Sequence, residues 1–156
     1  MPTNRSAPPG VIVPSLIYSD VAKAIDWLSD TFGFTERLRI TGPDGRVGHA
    51  QLMVGSGDDG AGGGVLLGES RVEQVGKLEF RPPHPNEIST TLSVHIGDVD
   101  QHFEHARARG AHILQVPTTF PFGERQYVAF DLEGYRWTFS QTVADIPPEA
   151  WGATTP

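Results

Sequence analysis

The sequence contains no cysteine, no long apolar run and no basic cluster. Without cysteine, disulfide bonds and thiolate metal sites are impossible in this chain of 156 residues. No apolar run approaches the ~18 residues of a membrane-spanning helix, so we expect no membrane association. The net charge is −7 and the Lys and Arg residues are scattered, so we expect no nucleic-acid partner. The N-terminal MPTNRSAPPG lacks the apolar core of a secretory signal, which predicts a cytoplasmic protein.

Two amphipathic segments predict helices. The first, near 20–32, places on one face the apolar residues Val21, Ile25, Leu28 and Phe32. Ser19 or Asp20 can cap its start, and Gly33 fits the position after its end. The second, near 98–109, places on one face the apolar residues Val99, Phe103 and Ala106. Asp98 and Gln101 form a capping-box pair at its start, and Gly110 follows its end.

Short β-branched or alternating runs between turn residues predict eight strands. In the first half these are residues 11–18, 34–41, 47–54 and 65–68, and in the second half residues 89–96, 111–116, 125–131 and 135–142. The order strand–helix–strand–strand–strand therefore occurs twice. Two βαβββ modules forming one α+β domain are expected, with helices on one sheet face and a cavity on the other.

The domain organisation follows from this repeat. We expect an N-terminal tail over residues 1–10, a single domain over 11–142 and a C-terminal tail over 143–156. Within the domain, module 1 covers about 11–70 and module 2 about 89–142. A linker over 71–88 joins the two modules.

Three segments of the chain resemble a known family. They are YSDVAKAIDWLSDTFGF in module 1, and VHIGDVDQHFEHARARGAHI and YVAFDLEGYRWTFSQ in module 2. Their order resembles the vicinal oxygen chelate superfamily, also called the glyoxalase/bleomycin resistance/dioxygenase superfamily. Leu132 stands where the family's closing hairpin usually has proline. The resemblance spans about 11–142 and implies an eight-stranded mixed sheet that curls into a cup around the site.

Many members of this family bind one divalent metal in the cup, through four ligands from the first and last strands of each module. Counting from the helix caps and the hairpin glycine places those positions at about Val13, Leu67, Ser89 and Thr138. None of these is a normal metal ligand. A slip of one residue offers nothing better, and a slip of two offers one carboxylate, Glu69. We therefore predict that the cup holds no metal and no other cofactor.

Candidate ligand-binding residues lie on alternating strand faces. His49 and Gln51 share one face of their strand, and Ser93 and His95 share the polar face of theirs. A structural role is the alternative for each of them. His102 and His105, three residues apart on the second helix, are expected to be surface residues, with a metal pair as the alternative.

The final strand and the loop before it add further candidates. If Tyr135, Trp137 and Phe139 pack under the helices, Arg136 and Thr138 project into the cup, unless Arg136 pairs with Glu69 or Glu124. Three aromatic residues near the loop PTTFPFGERQY are expected to stack on a ligand at the mouth of the cup, or to form a dimer interface; they are Phe120, Phe122 and Tyr127.

These observations predict a metal-free, homodimeric protein that binds an aromatic, polar, drug-like or secondary-metabolite molecule in the cup. The resemblance to drug-binding resistance proteins supports this interpretation. The alternative is a metal-dependent lyase, isomerase or dioxygenase of the same fold. Whether the chain catalyses a reaction is left open by the sequence.

Overall fold

The computed structural model describes residues 2–3, 5–54 and 62–156. The first βαβββ unit consists of β1 (Ser15–Tyr18), α1 (Val21–Phe32), β2 (Thr35–Thr41), β3 (Val47–Val54) and β4 (Gly63–Glu69). A hairpin of β5 (Arg71–Glu73) and β6 (Leu78–Phe80) follows in the predicted linker. The second unit consists of β7 (Thr91–His95), α2 (Val99–Ala108), β8 (His112–Thr119), β9 (Glu124–Phe130) and β10 (Arg136–Thr142). A short 3-10 helix, Pro148–Trp151, lies near the C-terminus.

The two modules have the same strand order. The sheets run β1-β4-β3-β2 and β7-β10-β9-β8. In each sheet the first strand pairs in parallel with the last, and the other pairs are antiparallel. The predicted α+β fold of two βαβββ modules is confirmed. Its eight strands form two four-stranded mixed sheets rather than one continuous hydrogen-bonded sheet.

Side-chain caps start both helices, as predicted. The Asp20 carboxylate accepts a hydrogen bond from the backbone N–H of Lys23 at 3.0 Å, and Gly33 ends α1 in the left-handed conformation, with φ 72°. The Asp98 carboxylate accepts from the N–H of Gln101 at 2.9 Å. None of the described helices is long and apolar enough to cross a membrane.

Aromatic residues join the two modules in one core. Phe32 and Phe34, at the end of α1, pack on Trp137 and Phe139 of β10, with ring centroids 4.8 Å apart for Phe32 and Phe139 and 5.2 Å for Phe34 and Trp137. Both helices cover this side of the sheets. The aromatic face of β10 therefore packs under the helices, as predicted.

A buried carboxylate also links the modules. Asp131 Oδ2 accepts hydrogen bonds from the Tyr18 hydroxyl at 2.7 Å and from Trp137 Nε1 at 3.0 Å. Asp131 Oδ1 accepts from the backbone N–H groups of Glu133 and Tyr135. Burial raises the pKa of Asp131, and these four hydrogen bonds oppose that shift. The network holds β1 of module 1 against the β9–β10 hairpin of module 2.

The two histidines of α2 contact the end of α1. His102 Nε2 lies 2.8 Å from the carbonyl oxygen of Phe32, and His105 Nε2 lies 2.7 Å from that of Asp30. The expectation that His102 is a surface residue is wrong, because α1 covers it. Both histidines satisfy carbonyl groups at the C-terminus of a helix, which have no partner within that helix.

Candidate functional site

Each sheet has one face under the helices and one open face. Residues opposite one another in neighbouring strands share a face. In module 2, Leu92 pairs with Trp137 and Val94 with Phe139, all on the helix side. The open face therefore holds the pairs Thr91 and Arg136, Ser93 and Thr138, and His95 and Ser140. Four of the predicted ligand-binding residues thus lie on one face; they are Ser93, His95, Arg136 and Thr138.

A hydrogen-bonded polar row crosses this open face. Gln126 Nε2 donates to Ser140 Oγ at 3.1 Å, and Ser140 Oγ donates to Glu124 Oε2 at 2.5 Å. The Thr142 hydroxyl donates to the other Glu124 oxygen at 2.6 Å. This row is not among the predicted site residues, although alternation along β9 and β10 indicates it.

The neighbouring polar residues differ in their partners. Arg136 Nη1 donates to Thr138 Oγ1 at 3.3 Å. Arg136 pairs with neither of the predicted carboxylates, because Glu69 is bound by Arg46 and Glu124 by hydroxyl groups. The His95 side chain is exposed and makes no hydrogen bond within the described ranges. Its imidazole is free to bind a ligand.

The open face of module 1 is covered by the N-terminal strap, which we define as residues 5–14. Gln51 Nε2 donates to the carbonyl oxygen of Ser6 at 2.8 Å, and Gln51 Oε1 accepts from Arg37 Nη1 at 2.5 Å. His49 lies beside Gln51, with 3.5 Å between His49 Nε2 and Gln51 Nε2. These two residues share a face, but Gln51 is buried and its amide is engaged by its own chain.

A cavity of about 310 Å³ lies between the modules. One wall is Val54 with residues 63–65 of β4, and the opposite wall is residues 92–95 of β7 with Trp137. The strap supplies a third wall through Pro9, Gly10, Ile12 and Pro14. Among the described residues of the lining there is no Asp, Glu, Lys or Arg, and the polar side chains are those of Ser93 and His95.

The structure corrects the predicted position of Tyr127. This side chain is buried on the helix side of β9, with its hydroxyl 2.6 Å from His102 Nδ1. Its ring lies 5.1 Å from that of Phe139, and burial raises the pKa of its hydroxyl. Because α2 covers Tyr127, the prediction that it contacts a ligand at the mouth of the cup is wrong.

Phe120 and Phe122 lie at the tip of the β8–β9 hairpin and outside the cavity wall. Their rings stack with centroids 5.3 Å apart, and Phe122 meets Trp151 edge-to-face at 6.0 Å. The C-terminal segment reaches this hairpin because the N–H groups of Val143 and Ala144 donate to the carbonyl oxygen of Gly123. The sequence analysis did not associate Trp151 with these rings.

The residues at the family's metal positions do not fit a divalent ion. Leu67 is buried in the core on the helix side, and the Thr138 hydroxyl accepts a hydrogen bond from Arg136. Val13 and Ser89 supply neither imidazole nor carboxylate, the donors that such an ion would require here. In the described part of the chain, no three His, Asp or Glu residues are grouped in a way that could hold a metal.

Comparison with known proteins supports the resemblance found in the sequence. The model of the Glyoxalase/Bleomycin resistance protein/Dioxygenase superfamily matches residues 11–139. The crystal structure of TioX from Micromonospora sp. ML1 is 32% identical, covers 88% of this chain and 100% of that chain, and superposes with a TM-score of 0.60. A glyoxalase/bleomycin resistance protein/dioxygenase from Nocardioides is 20% identical, with 94% and 90% coverage and a TM-score of 0.61, and shares the fold.

Relatives among curated proteins come from mycobacteria. An uncharacterized protein of Mycobacterium tuberculosis is 29% identical over 133 residues, which cover 85% of this chain and 75% of that protein. An uncharacterized protein of Mycobacterium bovis matches at the same identity, with 84% of its length covered.

Proposed function

The chain belongs to the glyoxalase/bleomycin resistance protein/dioxygenase superfamily, and on that premise we propose that it binds a small, neutral, aromatic molecule in the cavity between its modules. The ligand is of the drug-like or secondary-metabolite kind. Binding takes place without a metal ion, because the side chains at the family's metal positions are not suitable donors.

The composition of the cavity wall is the observation that supports this proposal most directly. The volume of about 310 Å³ lies at the lower end of the range for small-molecule sites. Val65, Leu92, Val94 and Trp137 make the wall apolar, and the described part of the wall has no charged side chain to balance an ionised ligand. A charged group would therefore lose its hydration without compensation. Arg136, which the sequence predicts to project into the cup, does not line this cavity.

Two features give the site directed contacts. The Ser93 hydroxyl and the His95 imidazole stand at the rim, where they can donate or accept hydrogen bonds with a polar group of the ligand. Trp137 is held in place by the hydrogen bond from its Nε1 to Asp131. A rigid aromatic wall with a few polar groups at its edge suits an aromatic ligand that carries one or two hydrogen-bonding groups.

The expected homodimer belongs to this proposal as well. Phe122 and Trp151 are 36% and 42% exposed and lie together at one end of module 2. Partly exposed aromatic side chains are enriched at protein interfaces. This supports the alternative that the hairpin aromatics contact a second copy of the chain rather than the ligand.

A pair of fluorescent probes tests the proposal. N-phenyl-1-naphthylamine is neutral, and 8-anilino-1-naphthalenesulfonate carries the same rings with a sulfonate group. We expect the neutral probe to bind one site per chain with increased, blue-shifted emission. The sulfonate should bind about tenfold more weakly or worse, because the described wall residues include no cation.

Substitutions on β7 identify the site. Ser93→Tyr places a large side chain at the cavity and should weaken binding of the neutral probe about tenfold. Thr91→Tyr is the matched control, because Thr91 is exposed on the same strand face but does not line the cavity. Equal affinities for the two variants, or preference for the sulfonate, would contradict the proposal.

A further inference from the structure

We propose that the N-terminal strap is a lid over the cavity and that Ile12 is the residue that closes on the ligand. This inference rests on the proposed function, because it assigns a role in ligand binding to a segment outside the two sheets. Of the family's metal positions only Val13 lies in the strap, and none of the ligand-binding residues predicted from the sequence does.

The first part of the strap is anchored on module 1. Pro8 is fully buried, and its ring occupies the space that a Cβ atom at Gly64 would fill. The carbonyl oxygen of Ser6 is held by Gln51, and that of Arg5 by Arg37 at 3.2 Å. Because a buried proline packs against a glycine of β4, this segment has a defined position on the sheet.

The end of the strap is anchored to the same sheet. The carbonyl oxygen of Pro14 accepts a hydrogen bond from the N–H of Leu66 at 2.9 Å, which extends the pairing of β1 with β4. Residues 10–13 are therefore suspended between a fixed Pro8 and a fixed Pro14. Movement of this span alone would leave both anchors in place.

A glycine allows the suspended span to turn. Gly10 has φ 129°, a conformation that side chains on other residues rarely permit. A Cβ atom at this position would also lie 3.3 Å from the carbonyl oxygen of Ile12. Gly10 is therefore suited to serve as the hinge from which the span crosses the mouth of the cavity.

Two apolar side chains on this span are exposed. Val11 is 105% and Ile12 is 88% exposed, relative to a reference residue. Ile12 borders the cavity and Val11 does not. Removing apolar surface from water is favourable by about 25 cal/mol per Å². An apolar ligand in the cavity would give the Ile12 side chain a surface to pack against, so closing on the ligand is favoured. Val11 has no such surface nearby and provides a matched control.

The absence of cysteine makes a direct experiment possible. Ile12→Cys and Val11→Cys each create a single thiol, whose reaction rate with Ellman's reagent can be measured with and without saturating N-phenyl-1-naphthylamine. We expect the probe to slow the reaction at position 12 several-fold and to leave position 11 unchanged. Equal rates with and without probe at position 12, or equal slowing at both positions, would overturn the lid.

Affinity measurements separate the lid from the function on which it rests. Ile12→Ser should weaken binding of N-phenyl-1-naphthylamine by about tenfold, whereas Val11→Ser should match the wild type. If the wild type does not bind the probe, the proposed function fails and the lid fails with it. If the wild type binds it and the two serine variants bind equally well, the lid alone is wrong.

Discussion

His102 shows how one side chain can connect two helices. Its Nε2–H donates to the carbonyl oxygen of Phe32, and its Nδ1 accepts from the Tyr127 hydroxyl. The ring also lies 4.3 Å from that of Phe139. Burial favours the neutral imidazole, in which Nδ1 can accept from the Tyr127 hydroxyl.

The environment of His102 predicts a pH dependence of stability. Burial lowers the pKa of His102, the hydrogen bond to the Phe32 carbonyl opposes this shift, and the electrostatic interaction with His105 adds to it. In the unfolded chain His102 binds a proton near the ordinary histidine pKa of about 6.5, whereas in the folded chain it binds that proton only at a lower pH. The stabilisation is fully present above that pH and is lost as the pH falls through the lowered pKa.

We expect the stability advantage of the wild type over His102→Gln to shrink between pH 7.5 and 5.5. A tenfold difference in proton affinity between the folded and unfolded states corresponds to about 1.4 kcal/mol. Urea unfolding of both proteins across this range measures the difference. An advantage that stays constant with pH would show that His102 does not exclude a proton.

At the scale of the element, capping interactions determine where α1 begins and where it ends. Asp20 satisfies one of the free N–H groups at its start, and Gly33 donates its own N–H to the carbonyl oxygen of Ser29 at 3.1 Å. The left-handed conformation of Gly33 then turns the chain into β2. This turn brings Phe34 onto Trp137, so the end of the helix also positions the core.

Gly33→Ala should therefore lower the free energy of unfolding by about 1–2 kcal/mol, the cost of a left-handed conformation for a residue with a Cβ atom. Steric crowding does not contribute to this loss, because a Cβ atom at Gly33 would meet no atom within 4 Å. Gly33→Asn is the matched control and should lose less, since asparagine tolerates this conformation. Chemical denaturation measures both variants, and equal losses would contradict the conformational argument.

At the scale of the whole molecule, the modules depend on one another. Their sheets are not hydrogen-bonded into one, yet Phe32 and Phe34 of module 1 pack against the aromatic face of β10. Tyr135 exchanges hydrogen bonds of 2.9 Å with both backbone groups of Ile17. Shared apolar burial and buried polar links predict that the modules unfold together.

Tyr18→Phe tests this coupling. It removes the 2.7 Å hydrogen bond to the Asp131 carboxylate, a bond to a charged group that should contribute about 1.5–3 kcal/mol. We expect one cooperative unfolding transition at a lower denaturant concentration, with the same slope as the wild type. Two separate transitions, in either protein, would show that the modules fold independently.

The sequence by itself determined the helices and strands of the two modules and their order, but not the β5–β6 hairpin or the 3-10 helix. Asp20, Asp98 and Gly33 marked helix ends because capping acts over a few neighbouring residues. Alternation along β7 and β10 separated Ser93 and His95 from the apolar residues, because successive side chains in a strand point to opposite faces. β1 begins at Ser15 rather than at the predicted Val11, since the preceding residues belong to the strap.

Only the tertiary structure decided what covers each face. Tyr127 is next to polar Gln126 in sequence, but α2 lies over it. The sequence of β3 does not distinguish Gln51 from an exposed strand residue, yet the N-terminal strap covers its side chain. Such contacts join residues far apart in the chain, through shape matches such as Pro8 against Gly64. Local periodicity contains no information about those matches, so the sequence predicted a cavity but neither its walls nor the strap that borders it.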